Sequence, residues 1–448
     1  MLNDDSLLQI FSHYRQNHAE DWNLRHTWRN LAHVCRRWRY FIFDFSPHLD
    51  ICLRLVNDSP SLDTLSHLPP LPLVIDYSDK TGTLTRNDAD NIHLGLQQHS
   101  HVCWIALRGP SSSLLIWLEP MNKHFPRLKD LTLLSTTSES MNLMLPETFQ
   151  APDLRRIALH GIGLSAGLTF LSSVTALSKL SLTDVGASCY FSPGDLVSHL
   201  QDLPCLEELS IGFAIPIPLP SSERELLLSP IPPVTLPTLR QLTFRGVDVY
   251  LDNLVAQINT PLLEQLSLTF FFDLAFTFVN LAQFIHETKG FRCLVARVIF
   301  NEDGASIDTN HYGQRKLSLH VNCRPLDWQI DSAAQVCIAL GKVVSIVEEL
   351  TLDLDVGVPL ILLNTLDSMM WHELLLPFIG VKKLHIRPLL EYQLSRSLES
   401  VAGGVALELL PELQELYLYT RNPYARKGFS AFFKFRNFVG RPVRLLEI

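Results

Sequence analysis

The sequence predicts an α/β chain in which short parallel strands alternate with helices in a stacked array, behind a small all-helical unit. Leucine fills 82 of the 448 positions, an excess that points to internal repeats. A short block with apolar residues at relative positions 1, 4 and 6 recurs along most of the chain. The first fifty residues lack that block and carry helical spacing instead, which sets residues 1–50 apart from residues 51–448.

Composition narrows the function classes. Hydrophobic residues make up 47% and charged ones 19%, so the chain can bury a large core and is not disordered as a whole. A net charge of −9 and a pI near 6.0 exclude nucleic-acid or anionic-lipid binding by the whole surface. The eight cysteines include no C-x-x-C pair, which fits neither a disulfide framework nor a closely paired zinc site and predicts reduced, mostly buried thiols. The acidic start Met1-Leu2-Asn3-Asp4-Asp5 lacks the basic and long apolar regions of a secretory signal, so the expected location is intracellular, cytoplasmic or nuclear. Leu268 to His286 holds a single acid and no Lys or Arg. Asp273, Asn280 and Gln283 would be costly in hydrocarbon, so this stretch is expected to split into a strand end and a helix beginning near Leu274, with no membrane partner.

In the N-terminal unit Asn3 can cap a helix whose first turn holds Asp4 and Asp5, favourable at the positive end of the dipole. Leu7, Leu8, Ile10, Phe11 and Tyr14 follow. After a polar connection from Arg15 to His26, Thr27 is a second cap. The spacing then places Trp28, Leu31, Cys35, Trp38 and Ile42 along one helical stripe, with Arg29, Arg36, Arg37 and Arg39 largely off it.

The repeat block reads L-x-x-L-x-L. Its central positions are 105, 131, 157, 180, 209, 242, 266, 298, 317, 350, 384 and 416, and most gaps hold one strand and one helix. In L-x-L the two apolar residues share one strand face while the Thr, Ser or His between them faces out. Helical spacing follows between blocks, as in Leu196, Val197 and Leu200 or Ala333, Ala334, Cys337 and Ile338. One strand and one helix cannot bury such a face alone, but a stack can. This pattern resembles the leucine-rich repeat family, which implies an irregular solenoid of parallel strands with helices on the outer side. An ordinary parallel α/β sheet is the alternative, and twelve near-equal blocks favour the stack. The Asn or Cys expected three positions after the last block leucine is replaced by Thr136, Ile162, Val185, Ala214 and Val247, so no asparagine ladder is available. Two stretches interrupt the rhythm. A Pro-rich insertion at 213–237 holds seven prolines, which favour extended polyproline conformations, and Asn301 to Gln314 reads as a polar loop.

With the repeats in place, the N-terminus becomes more specific. The leucine-rich helix followed by Val34, Cys35, Arg36 and Trp38 looks like the F-box, and an F-box ahead of leucine-rich repeats is similar to the arrangement in fungal F-box proteins. The resemblance implies docking to a Skp-family adaptor, and through it a cullin-RING ubiquitin ligase, by Leu2, Leu7, Leu8, Ile10, Phe11, Val34, Cys35 and Trp38. It also implies a non-catalytic substrate receptor without cofactor, whose repeats bind an unidentified target protein. Asn3 departs from the usual proline, and the Arg15–His26 connection is longer than common. The structural alternative is a helical cap on a plain repeat scaffold.

Three further motifs bear on chemistry. Gly163-Leu164-Ser165-Ala166-Gly167 matches G-x-S-x-G ahead of a helical segment, Leu168 to Leu177, and would make Ser165 the nucleophile of a hydrolase. No acid and histidine stand in a recognisable constellation with it, so the glycines are more simply a turn. The seventeen histidines include no H-E-x-x-H, and no metal site is expected. From Arg421 to Arg444 there are seven basic residues and no acid, interleaved with aromatics. This segment is expected to close the last repeat with its Phe side chains and leave Arg and Lys solvated.

Overall fold

The computed structural model describes residues 3–16, 27–44, 52–57, 71–79, 84–137, 143–164, 168–216, 233–272, 276, 278–288, 291, 294–311, 314–355, 367–400, 409–419 and 425–448. These residues form two compact units, Met1–Leu177 and Ser178–Ile448.

The first unit begins with helices α1 (Asp4–Gln16), α2 (Thr27–Val34) and α3 (Arg36–Asp44). Strands β1 (Leu53–Val56), β2 (Leu73–Ser78), β3 (Val102–Gly109), β4 (Asp130–Ser135), β5 (Met144–Leu145), β6 (Arg156–His160) and β7 (Gly163–Leu164) follow, with helices α4 (Arg86–Gln97) and α5 (Ser111–Leu118) between them. The parallel ladder runs β1-β2-β3-β4-β6, while β5 and β7 form a separate short pair. Helix α4 starts where Thr85 accepts from the Asp88 amide at 3.1 Å, satisfying a donor the helix cannot pair internally. It lies so close to the sheet that a β-carbon at Gly95 would meet Ile75 and Leu55 side chains at 3.1 Å.

The second unit contains β8 (Lys179–Val185), β9 (Glu208–Phe213), β10 (Val234–Thr235), β11 (Gln241–Gly246), β12 (Ile258–Asn259), β13 (Gln265–Phe271), β14 (Val295–Phe300), β15 (Gly304–His311), β16 (Gln314–Asn322), β17 (Glu349–Leu354), β18 (Lys383–Ile386), β19 (Glu415–Leu418) and β20 (Arg444–Glu447). Its helices are α6 (Pro193–Leu200), α7 (Asp248–Ala256), α8 (Val279–Glu287), α9 (Leu326–Ala339), α10 (Gly341–Val344), α11 (Ser368–Leu375), α12 (Glu391–Ser400), α13 (Ala425–Gly428) and α14 (Ser430–Phe438). All twelve central block positions fall on strands. The register stacks Leu180, Leu209, Leu242, Leu266 and Leu317 in one buried row, and Leu182, Ile211, Phe244, Leu268 and Leu319 in the next. Each such side chain gains about 2 kcal/mol on leaving water. The alternate residues stay partly exposed, so these parallel strands are buried on one face only, unlike the two-sided burial usual in α/β sheets. The chain is therefore mixed α/β with a largely parallel sheet, compatible with a leucine-rich-repeat-like solenoid.

Several expectations need correction. The polar stretch from Asn301 to Gln314 contains a strand, β15, and the strands are not stacked in chain order. Sheet order in this unit is β8-β9-β11-β13-β16-β15-β14-β17-β18-β19-β20, with β15 antiparallel to both its neighbours. The Asn301 side chain accepts from the amides of Asp303 and Gly304, each at 2.9 Å, and the Asn301 amide donates to the Gly304 carbonyl at 3.0 Å, so the hairpin closes over Glu302-Asp303. The helix expected from Leu274 is described from Val279, and the helical segment expected over Leu168–Leu177 is a 3₁₀ turn, Thr169–Ser173. Of the described cysteines only Cys323 and Cys337 are buried. Residues 217–232 of the Pro-rich insertion lie outside the described residues. No described helix is long and apolar enough to cross a membrane.

In place of an asparagine ladder the repeats use other devices. At the strand ends of the first unit Ser111 Oγ lies 3.0 Å from Ser135 Oγ and 2.8 Å from Thr137 Oγ1, pairing hydroxyls that burial would otherwise leave unsatisfied. In the second unit aromatic rings take over. Phe213 and Phe244 both pack on Tyr250, at 4.9 and 5.6 Å, and Phe270 packs on Phe278 at 5.1 Å. Phe244 folds across Gly246, where a β-carbon would stand 2.6 Å from the ring and 3.1 Å from Phe213. Helix α8 has no cap of its own. Asp252 of α7 supplies it, accepting from the amides of Asn280 at 2.9 Å and Leu281 at 2.8 Å, so one repeat terminates the exposed donors of the next. Burial pushes the Asp252 carboxyl above its ordinary range, and the donors of Leu281 and Asn280 pull it back.

The C-terminal segment does pack Phe429 and Phe432 into the core, but its basic residues are not all solvated. Arg436 is buried, and its guanidinium donates to the carbonyls of Leu413 at 2.9 Å, Arg441 at 3.1 Å and Pro411 at 3.2 Å. A planar fork with five donors suits a cluster of carbonyls turned away from any ladder. Phe438, expected in the cap, is 89% exposed.

Two stability outcomes follow from these contacts. Gly246→Ala is expected to lower unfolding free energy by about 1–3 kcal/mol, the usual cost of overpacking, in urea titrations. Arg436→Met, which keeps the stem and removes the donors, is expected to cost about 2 kcal/mol or more by leaving buried carbonyls unpaired, read in the same assay.

Candidate functional site

At the N-terminus Asn3 caps α1 as expected, its side chain accepting from the Ser6 amide at 2.8 Å. The single stripe from Trp28 to Ile42 does not form, because the helix breaks at Cys35. There the Cys35 thiol accepts from the Trp38 amide at 3.5 Å and the Arg39 side chain donates to the Ala32 carbonyl at 3.0 Å. One helix is thereby ended and the next begun. Leu7, Phe11, Phe41 and Ile42 are buried, with Phe11 edge-on to Trp38 at 4.9 Å. Asp4 and Arg37 pair at 2.9 Å across α1 and α3.

The residues expected to meet an adaptor therefore separate into groups. Leu7 and Phe11 are buried, and Leu8 and Trp38 are half-buried. Ile10 is 42% and Val34 58% exposed, and Cys35 is exposed beside them in sequence. Tyr40, 73% exposed, adds an aromatic ring to this unit that the motif did not single out. Leu2 lies outside the described residues, as does Ser165. The residues before Ser165, Gly163 and Leu164, pair with β5, and Gly161 takes the turn, with φ +69°.

On the outward face of the second unit, neighbouring strands bring Arg245, Thr269 and His320 side by side. With Asp303, Asn322, Cys323 and Arg324 they line an open depression of about 680 Å³. Arg245 bonds Asp184 at 3.2 Å and lies 5.6 Å over the Phe271 ring. His320 Nδ1 is 2.8 Å from Ser306 Oγ, and burial lowers its pKa, keeping the imidazole neutral. Burial also raises the Cys323 thiol to about 11, so it is a poor nucleophile at neutral pH. Farther along the face His385 stacks on Tyr417 at 4.3 Å and sits 3.1 Å from Tyr419 Oη and 3.3 Å from Glu349. Arg387 covers Tyr419 at 4.1 Å. Neither cluster was visible as a motif, since one gathers residues from Arg245 to Arg324 and the other from Glu349 to Tyr419. His385 and Tyr417 fill the outward position of their L-x-L blocks, while Arg245, Thr269 and His320 each stand one residue past theirs, so the alternation continued beyond the block is the signal that would have collected them. No group of three or more His, Cys, Asp or Glu side chains among the described residues is placed to hold a metal.

No family model matches the chain, and no curated protein matches it. Among solved structures it is similar to the crystal structure of Listeria monocytogenes InlP, with 12% identity and a TM-score of 0.25 over 52% of this chain and 84% of that one. A likeness at that level carries no argument.

The His385 cluster has a pH signature. Burial, opposed by Glu349, lowers the His385 pKa below its ordinary 6.5. Unfolded His385 takes up a proton near that value while the folded residue resists, so stability is lost as pH falls below about 6.5. His385→Gln is expected to shrink the difference in unfolding free energy between pH 7.5 and pH 5.5, measured by urea titration at both.

Proposed function

We propose that this chain is a non-catalytic substrate receptor that works inside the cell. Its N-terminal helices dock a Skp-family adaptor of a cullin-RING ubiquitin ligase, and its repeats carry a target protein. The observation that supports this most directly is the division of labour in the first unit. Leu7 and Phe11 hold the helices together, while Ile10 and Val34 remain outside, 42% and 58% exposed. Apolar side chains kept at the surface by a self-sufficient core are suited to a partner's groove. The repeats complement this, since the outward strand positions of the second unit include partly exposed polar residues such as Ser181, Ser210, Thr243, Ser267 and Ser318, of the kind repeat proteins offer to other proteins.

One observation favours a second reading, that of a repeat scaffold with a structural cap. The side chains most characteristic of the motif, Leu7, Phe11 and half of Trp38, are already engaged within the unit. Adaptor binding separates the two. Co-expressed with a Skp-family adaptor, the full chain is expected to co-elute with it in size-exclusion chromatography. Ile10→Asp with Val34→Asp is expected to weaken that complex at least a hundredfold, about 3 kcal/mol, with an unchanged melting temperature. Absence of a complex with the unaltered chain would leave the scaffold as the better account.

A further inference from the structure

The rim of the depression over β11, β13 and β16 is built rather than incidental. Gln329 is buried, and its side-chain amide donates to the carbonyls of Asn301 at 2.8 Å, Cys323 at 3.0 Å and Arg324 at 3.1 Å. The Cys323 amide donates to Asp303 O at 3.1 Å. One side chain thus ties the β14–β15 turn to the loop that leads from β16 into α9, and fixes the backbone from which Arg324 projects. On the opposite side Arg245 is held in place by Asp184 and by the Phe271 ring. Gly212 is the register neighbour of Arg245, and the Arg245 stem packs against it, 3.4 Å from where a β-carbon would stand.

We propose that this depression is a recognition subsite for one anionic group, a carboxylate or a phosphate, gripped between Arg245 and Arg324. Two guanidiniums present forked N–H donors that match either oxyanion. The bond to Asp184 uses a donor on Nη1 and leaves most of the Arg245 donors available. Arg324 is exposed. His320 and Thr269 form a neutral polar floor that adds hydrogen-bonding capacity without charge. Asp303 on the rim limits the occupant to a single anion, since a second would face its carboxylate. At about 680 Å³ and open to solvent, the space fits a side chain offered by a macromolecule better than an enclosed small ligand. The inference stands on this geometry and is independent of the ligase reading.

Calorimetric titration of the full chain with inorganic phosphate, and separately with acetate at matched ionic strength, tests it. Saturable binding is expected, weakened at least tenfold by Arg324→Ala and unchanged by Lys434→Ala, an exposed lysine on α14. Among the described residues the Arg324 side chain anchors no other side chain, so this variant is expected to keep the parent's melting temperature. Phosphate bound more tightly than acetate would identify a phosphorylated side chain as the natural occupant, and equal affinity a carboxylate. No saturable binding of either anion, or binding indifferent to Arg324→Ala, would overturn the proposal.

Discussion

The structure depends on one constraint: a strand with leucine at alternate positions stays wet on that face until its neighbour pairs in the same register. A one-residue slip between adjacent strands would turn the whole leucine row to solvent. Rows such as Leu180, Leu209, Leu242 and Leu266 therefore lock register and burial together. Everything else is fitted around them. The helices cover the inner face, the strand ends are closed by hydroxyls in one unit and aromatic rings in the other, and Asp252 lends its carboxylate to the following helix. Such borrowing makes each repeat a part of its neighbour's stability rather than an independent module.

The period-two leucine signal was legible because it is local and strong, and every block found in the sequence became a strand. What escaped was non-local or weak. β15 carries Ala305 and Ile307 among polar residues, too sparse for the block, and the strand exists because two neighbours sandwich it. Cys35 looked like the middle of a helix, yet its thiol and the Arg39 side chain offer the backbone a break there. Arg436 looked solvated because nothing in its sequence neighbourhood announces the carbonyls of Leu413 and Pro411 that turn toward it.

The candidate sites were legible to different degrees for the same reason. The N-terminal residues lie within one short motif, so their identity was plain, but which of them face inward is decided by packing among three helices. The outward clusters around Arg245 and His385 have no motif at all. They are assembled by strand pairing, and chemistry on a repeat face is read across the strands rather than along them.

The reversed strand order around β15 has a consequence for synthesis. β13 is finished at Phe271, but its next sheet neighbour is β16, which ends at Asn322. During translation β14 emerges first and has no place on the growing edge, because the two strands that separate it from β13 do not yet exist. Strand-by-strand growth, natural for a repeat array, halts at this point until the whole β14–β15–β16 sheet can be set down as one piece. The nascent chain thus holds an open, apolar sheet edge for the time needed to make that insert, which is when a chaperone would have most to protect.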